Sequence, residues 1–240
     1  MRELAPLFAI VGTDGSGKTT ISSAVIDFVR SYGPADTAHL GLKSGDLGRA
    51  IQRLPVIGNA LDVFINRRAS RARDTKDKIP DAVTALVIFC FSQFRVRRFK
   101  RMMRKRRAGY IIVTDRYPQI DVPGFYDGPG LSAARAGDRL TRWLAKREYR
   151  QYEWMASFRP NLVIRLNVDL ETAIERKPDH RPESLRQKVE VTSKLTFGRA
   201  PIIDLDSKEP LEILIGKVRV AIAAHLDALG LVHCEAAMSR

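Results

Sequence analysis

A glycine-rich segment near the start of the chain constrains the fold more than any other feature. It runs from Gly12 to Thr19 (GTDGSGKT) and follows an apolar run at Leu7–Val11. After it, apolar residues recur at helical spacing as far as Tyr32, and Gly33-Pro34 closes that stretch. A buried strand that turns through glycines into a helix is the arrangement in which backbone N–H groups converge on an anion.

The spacing of this segment matches G-x-x-x-x-G-K-[ST], the P-loop pattern of proteins that bind nucleoside triphosphates. Lys18 can reach the β- and γ-phosphates, and the Thr19 hydroxyl can ligate Mg²⁺. We therefore predict an ATP site with Mg²⁺ on this loop. The predicted nucleotide-binding residues are Gly12, Thr13, Asp14, Gly15, Ser16, Gly17, Lys18, Thr19 and Thr20, with Asp206 and Lys208 beyond the last strand.

The rest of the chain alternates between strand and helix patterns. Strands are predicted at 7–11, 39–42, 110–114, 162–168 and 202–205, and helices at 17–32, 47–73, 80–107, 138–157, 170–176 and 210–229, with a loop at 119–131. Such alternation predicts a three-layer α/β fold, in which a parallel sheet of about five strands has helices on both faces. The 240 residues fit a single domain.

Polar residues that follow the predicted strands meet at one edge of a parallel sheet, where ligands bind in such folds. Besides the loop itself, they are Lys43, Ser44, Asp115, Arg116, Asp169, Asp206, Ser207 and Lys208. Asp14, inside the loop, places a carboxylate beside the phosphoryl group. It either holds an acceptor hydroxyl or a metal-bound water, or is a solvated turn residue.

The formal net charge is +14, which predicts attraction to anions. Nine of the thirteen residues in Arg95–Arg107 are basic, and a second basic cluster lies at Arg67–Lys78. Three interpretations of Arg95–Arg107 stay open: a solvated helix face, a contact with an acidic membrane surface or other polyanion, and nucleic-acid binding. Nucleic acid ranks last, because few aromatic residues interleave with the charges.

Other features narrow the class of protein. No apolar run is long enough to span a bilayer, and the N-terminal apolar stretch lacks a signal-peptide cleavage site, so we expect a cytoplasmic protein, with membrane-peripheral attachment left open. Cys90 and Cys234 fit no metal or redox spacing. The four histidines show no metal-ligand spacing either, so Mg²⁺ is expected to arrive with the nucleotide. A homodimer is left open.

The string Thr13–Thr20, followed about a hundred residues later by Asp115-Arg116-Tyr117 after a strand, resembles the thymidylate kinase family of P-loop nucleoside and nucleotide kinases. The order of elements here, with Gly109 followed by an apolar strand that leads to this triplet, is similar to the order in the family. The segment Arg159–Leu166 also resembles a strand of the family. Glu171–Arg176, with Arg181 and Glu183, resembles the start of its arginine-bearing lid, here at about 176–190. Ile203–Asp206 is placed like the strand end that contacts adenine.

The resemblance implies ATP- and Mg²⁺-dependent phosphoryl transfer to a small molecule, with a nucleoside monophosphate such as thymidylate as the first expectation. It implies that Asp14, Lys18, Asp115, Arg116, Arg176 and Arg181 serve the transfer, with Thr19 and Asp115 placing the metal. The residues expected around the acceptor are Arg95, Arg98, Tyr117, Asp121 and Asp127.

The loop Pro118–Gly130 departs from the family pattern, since it is long and carries Asp121 and Asp127. Carboxylates that line an acceptor pocket suit polyhydroxyl groups better than a phosphate. One alternative is therefore a kinase of a sugar-like or lipid-linked metabolite. The other is a non-enzymatic ATP-binding regulatory protein that docks on an anionic surface.

Overall fold

The computed structural model describes residues 4–41, 82–125, 127–131 and 138–233. Several sequence predictions lie outside the described residues. They are the helix at 47–73, the polar pair at 43–44, the basic cluster at 67–78 and the cysteine at 234.

Five strands and six helices make up the described chain. They are β1 (Leu7–Gly12), α1 (Lys18–Arg30), β2 (Ala35–His39), α2 (Ala82–Arg107), β3 (Ile111–Asp115), α3 (Arg139–Ala156), β4 (Leu162–Asn167), α4 (Leu170–Arg176), α5 (Pro182–Lys194), β5 (Ile202–Asp206) and α6 (Leu211–Ala228). All strands are parallel and pair in the order β2-β3-β1-β4-β5. The predicted five-stranded α/β fold is confirmed.

The chain divides into two compact units. The first comprises Met1–Leu40, Arg98–Tyr117 and Phe158–Arg240, and holds the sheet, α1, the last turns of α2, and α4 to α6. The second comprises Gly41–Arg97 and Pro118–Ser157, with most of α2 and with α3.

The sheet of the first unit is buried on both faces. Successive side chains of a strand point to opposite faces, and Leu7 to Val11 of β1 are all fully buried. On one face, α1 and α6 pack on the strands through Ile21, Val25, Val29, Leu214, Val218, Ile222 and Leu226. The last turns of α2 bury Phe99, Met102 and Met103. The sheet is thus the middle of three layers, as predicted.

Two details of the first unit differ from the sequence predictions. The second strand lies at Ala35–His39 and not at 39–42, because an edge strand that pairs with β3 alone tolerates the short polar residues Asp36 and Thr37. The predicted lid contains a helix, α5, that the sequence did not reveal. Its apolar face is narrow, since only Leu185 and Thr192 are buried.

A buried carboxylate organises the second unit. Glu148 of α3 is fully buried and accepts hydrogen bonds from the Ser92 hydroxyl and from the backbone N–H groups of Gly130 and Leu131. Burial raises the pKa of Glu148, and these hydrogen bonds only partly offset that rise. The described part of the loop at 119–131 contains no helix or strand, as predicted. Gln119 orders it by donating to the carbonyls of Val122 and Phe125.

No helix in the described part of the chain is long and apolar enough to cross a membrane.

A substitution at Gly12 would test how tightly the end of β1 is packed. Its φ is +152°, and an added Cβ would lie 2.5 Å from Ser16 Oγ and 2.6 Å from the Leu166 carbonyl oxygen. We expect Gly12→Ala to lower the free energy of unfolding by about 2 kcal/mol, through steric overlap and backbone strain. Urea unfolding monitored by circular dichroism measures the change.

Gly216→Ala is the matched control. Gly216 lies within α6, and a Cβ there would meet no described atom within 4 Å outside the helix's own nearby backbone. This substitution should raise the free energy of unfolding by about 0.5–1 kcal/mol, because alanine favours a helix interior. Equal unfolding midpoints for the two variants would contradict the packing described for Gly12.

Candidate functional site

The loop between β1 and α1 folds back on one carbonyl group. The Thr13 carbonyl oxygen accepts hydrogen bonds from the Ser16 backbone N–H at 3.2 Å, from Ser16 Oγ at 2.9 Å and from Lys18 Nζ. Gly17, with φ +84°, is the N-cap of α1, and the first turn of α1 contains no acidic residue. The N-terminal end of α1 therefore presents its positive end to the loop, as an anion site requires.

Lys18 is held inside this loop. Its side chain is buried, with the residue only 6% exposed. A lysine ammonium is a point charge on a flexible stem, so it can exchange a carbonyl oxygen for the oxygen of a bound phosphate. The predicted phosphate-binding lysine is therefore placed beside the loop carbonyl.

Asp115, at the end of β3, joins two other elements. Its Oδ2 accepts a hydrogen bond from Thr19 Oγ1 at 3.0 Å and lies 3.2 Å from His39 Nδ1, at the end of β2. Its Oδ1 is buried and has no hydrogen-bond partner among the described residues. Burial by itself raises the pKa of Asp115, but the hydrogen bond with His39, the charge of Lys18 and the hydrogen bond from Thr19 outweigh it and lower the pKa.

Thr19 and Asp115 thus place a hydroxyl and an ionised carboxylate side by side. Oxygen atoms of this kind are the ligands that Mg²⁺ prefers, and Mg²⁺ usually takes one or two from the protein and others from phosphates and water. No group of three or more His, Cys, Asp or Glu side chains able to hold a metal occurs in the described ranges. Thr19 and Asp115 are oxygen donors of the kind that fit Mg²⁺.

Asp14 is surrounded by basic side chains from three other segments of the chain. Its Oδ1 accepts a hydrogen bond from Arg116 Nη2 at 2.9 Å, and its Oδ2 is paired with Lys188 Nζ of α5. His180 Nε2 lies 3.7 Å from the same Oδ2. Burial raises the pKa of Asp14, yet Lys188, Arg116 and Lys18 together hold it well below its usual value. Asp14 is therefore an ionised, ion-paired residue and not a solvated turn residue.

Arg176, at the end of α4, links the loop to the chain that follows β5. Its guanidinium donates to the Gly15 carbonyl oxygen at 3.2 Å and to the Ser207 carbonyl oxygen at 3.1 Å. Ser207 is buried, and its N–H donates to the Asn167 carbonyl oxygen at 2.8 Å. The predicted lid arginine is therefore in direct contact with the backbone of the loop.

Three buried oxygen atoms around the loop make no hydrogen bond to any described residue. They are Thr13 Oγ1, Asp115 Oδ1 and Ser207 Oγ. A buried polar atom without a partner costs about 1–3 kcal/mol, so native proteins rarely leave several of them in one region. A polar ligand that supplied the missing hydrogen bonds would remove this cost.

The other predicted nucleotide and lid residues lie at the surface. Asp206 is exposed and accepts a hydrogen bond from the Lys208 backbone N–H at 2.9 Å, while Lys208 Nζ pairs with Asp169 at 2.8 Å. Thr20 is exposed on α1, and Arg181 is exposed at the N-cap of α5.

Two of the residues predicted around the acceptor lie in the first unit. Tyr117 is buried against the Phe99 ring, and its hydroxyl donates to the Phe158 carbonyl oxygen. Burial raises the pKa of Tyr117, so the hydroxyl stays neutral. Tyr117 is therefore a core residue in this structure. Arg98 is half-buried on α2.

The other three lie in the second unit. Arg95 and Asp127 form a buried pair, in which Arg95 donates to the Asp127 carboxylate and to its backbone carbonyl, both at 2.7 Å. The Arg95 guanidinium also lies over the Tyr152 ring, 5.8 Å from its centroid. Asp121 is exposed. Two residues expected to contact the acceptor thus contact each other.

Two residues of the site, His39 and Lys188, were not predicted from the sequence. Asp115 was selected because it is a polar residue at the end of a predicted strand. His39 ends β2 and would have been selected in the same way, but the second strand was predicted four residues too late. Lys188 lies 174 residues from its partner Asp14, on a helix that was not predicted, and no local signal marks it.

The chain has close relatives of similar length. It is 40% identical over 220 residues to the uncharacterized ATP-binding protein YghS of Escherichia coli (strain K12), covering 91% of this chain and 93% of that protein. It is 37% identical over 218 residues to the uncharacterized ATP-binding protein YghR of the same strain, covering 90% of this chain and 86% of YghR. No model of a known protein family matches the chain.

The ion pairs of Asp14 should make stability depend on pH in a defined direction. Because its pKa is lowered in the folded chain, its contribution is complete above the ordinary pKa of about 4 and is lost as the pH falls through the lowered value. Asp14→Asn should therefore lower the free energy of unfolding by a constant amount between pH 7 and pH 5. The difference from wild type should shrink at about pH 3.

Urea unfolding at these pH values measures the difference. Glu153→Gln, at an exposed position of α3, is the control, and it should change stability by less than about 0.5 kcal/mol. A difference between Asp14→Asn and wild type that persists unchanged to pH 3 would contradict the ion-pair assignment.

Proposed function

Because this chain belongs to the family of ATP-binding proteins that includes YghS and YghR, we propose that it binds ATP at the loop of residues 12–19 and transfers the terminal phosphoryl group to a small molecule. One observation carries the proposal. Lys18, Thr19 and Asp115 converge beside a glycine loop, and the buried Asp115 Oδ1 has no partner among the described residues.

The loop supplies the binding site for the phosphates. Its backbone N–H groups and the N-terminal end of α1 attract negative charge, and Lys18 moves from the Thr13 carbonyl oxygen to the phosphate oxygens. The Thr13 and Ser207 hydroxyls, buried without partners among the described residues, provide further polar contacts. This set of groups suits a polyphosphate better than a single carboxylate.

Thr19 and Asp115 are the residues that would hold Mg²⁺ carried by the nucleotide. The bound ion would neutralise charge on the β- and γ-phosphates. His39 and Thr19 both contact Asp115 Oδ2, which fixes the carboxylate, while the buried Oδ1 makes no hydrogen bond to any described residue.

Phosphoryl transfer needs little covalent chemistry from the protein, because positioning and charge stabilisation supply most of the rate. Lys18 and Arg176 donate to backbone carbonyl oxygens of the loop, and Arg116 contacts the carboxylate of the loop residue Asp14. In our proposal these groups stabilise the charge that develops on the transferred phosphoryl group. Arg181 is exposed at the N-cap of α5, and its part in the transfer is proposed from the resemblance alone.

The class of phosphoryl acceptor is proposed from the resemblance to the thymidylate kinase family. The triplet Asp115-Arg116-Tyr117 favours a nucleoside monophosphate such as thymidylate. The acidic loop after it favours a sugar-like or lipid-linked metabolite as the alternative.

Lys18→Ala tests the catalytic claim. We expect turnover to fall by about 100-fold or more while the fold stays intact, because one preorganised charge contact to the reacting phosphates is lost. ADP release, measured with a panel of nucleoside monophosphates, nucleosides and sugars, gives both the rate and the acceptor class. Lys217→Ala, on the exposed surface of α6, is the matched control. Turnover near the wild-type rate in Lys18→Ala would exclude this mechanism.

A second candidate function, docking on an acidic membrane surface, is favoured by one face of α2. Arg101, Arg104 and Arg107 are exposed along that face and form no ion pair with the described residues, while Met102 and Met103 are buried. A cationic helix face of this kind attracts anionic lipid headgroups by about 1 kcal/mol for each residue near the surface.

The triple variant Arg101→Gln/Arg104→Gln/Arg107→Gln tests this docking. We expect wild type to sediment with phosphatidylserine-containing vesicles at about 0.05 M NaCl and less so at about 0.3 M, and the triple variant to bind weakly at both. Arg139→Gln/Arg142→Gln/Arg150→Gln removes the same charge from exposed sites on α3 and should bind like wild type. Equal losses in both variants would show that only net charge matters.

A further inference from the structure

Lys188 is a cation of the loop site that no sequence motif identifies. It lies on α5, and its ammonium group contacts Asp14 Oδ2, while Arg116 contacts Oδ1 of the same carboxylate. Asp14 therefore bridges a residue after β3 and a residue of α5 from within the loop. Both cations are held next to the segment that the proposed function assigns to the phosphates.

The position of Lys188 is fixed by an anchor further along α5. Arg165 of β4 donates to the carbonyl oxygens of Thr192, Ser193 and Leu195, at 3.2, 3.2 and 3.1 Å, and is itself paired with Asp204. Three carbonyl groups at the C-terminal end of α5 are thus tied to the sheet. Lys188 lies one turn before this anchor, and its backbone oxygen accepts a hydrogen bond from the Thr192 hydroxyl.

The electrostatic balance around Asp14 leaves positive charge for a ligand. Lys18, Arg116 and Lys188 all lower the pKa of Asp14, and Lys18 also lowers the pKa of Asp115, so three cations face two carboxylates. An ammonium group has three donors, and Lys188 uses one on Asp14. It can therefore keep that contact and donate to a phosphate oxygen as well.

We propose that Lys188 binds the terminal phosphate of ATP and that Asp14 is a positioning residue for Lys188 and Arg116. This inference rests on the proposed function. Asp14 then has no need to contact the acceptor. Its carboxylate holds two cations at the loop and stops their long side chains from dispersing into solvent. Lys188 acts on the phosphate directly, whereas Asp14 acts through its partners.

Isothermal titration of ATP and of ADP in the presence of Mg²⁺ tests the role of Lys188. We expect Lys188→Ala to weaken ATP binding by about 10- to 100-fold and ADP binding by less than about 3-fold, because only ATP has the terminal phosphate. Lys188→Arg keeps the charge and should retain part of the preference for ATP. Lys194→Ala, an exposed lysine on the same helix, should bind both nucleotides like wild type.

A double-mutant cycle tests the role of Asp14. In the Asp14→Asn background, Lys188→Ala should cost much less ATP affinity than it does in wild type, because the lysine is no longer held at the loop. An equal cost in both backgrounds would overturn the positioning role. Equal weakening of ATP and ADP by Lys188→Ala, or no weakening of either, would overturn the phosphate contact.

The two proposals fail in different ways. A wild-type protein that binds no ATP contradicts the proposed function. A wild-type protein that binds ATP, with Lys188→Ala binding it equally well, contradicts only the inference about Lys188.

Discussion

The buried carboxylate of Asp115 joins the ends of two neighbouring strands to the start of the first helix. Asp115 ends β3, His39 ends β2, and Thr19 lies in the first turn of α1, and both contact the same oxygen atom of Asp115. This junction fixes the loop after β1, because α1 begins where the loop ends. The other oxygen atom is left buried and available for a ligand, so one residue serves both the architecture and the proposed metal site.

Asp14 is a second carboxylate, inside the proposed anion site, and its ion pairs explain how the site tolerates that negative charge. Its ion pairs with Arg116 and Lys188 connect the loop to β3 and to α5. Arg176 of α4 makes a third connection, to the Gly15 carbonyl oxygen. The loop is therefore bordered by basic side chains from several elements, which agrees with the high positive charge of the chain. A polyphosphate is the class of ligand that such a border attracts.

The sequence predicted the parts of the fold that depend on local pattern. The strand, loop and helix at residues 7–30 carry strong periodicity and a specific motif, and the structure agrees with them. The edge strand β2 and the helix α5 were misplaced or missed, because both are polar and have little apolar periodicity. The pairing of Lys188 with Asp14, like that of Arg95 with Asp127, arises from tertiary packing, so spacing along the chain could not show it.

The central claim is that the loop of residues 12–19 binds ATP with its lysine on the phosphates. A crystal structure with Mg²⁺ and a non-hydrolysable ATP analogue tests this most directly. We predict phosphates within the loop, Lys18 Nζ moved from the Thr13 carbonyl oxygen to a phosphate oxygen, and Asp115 Oδ1 in contact with the metal or its water. A nucleotide bound elsewhere, with Lys18 still on Thr13, would contradict the account.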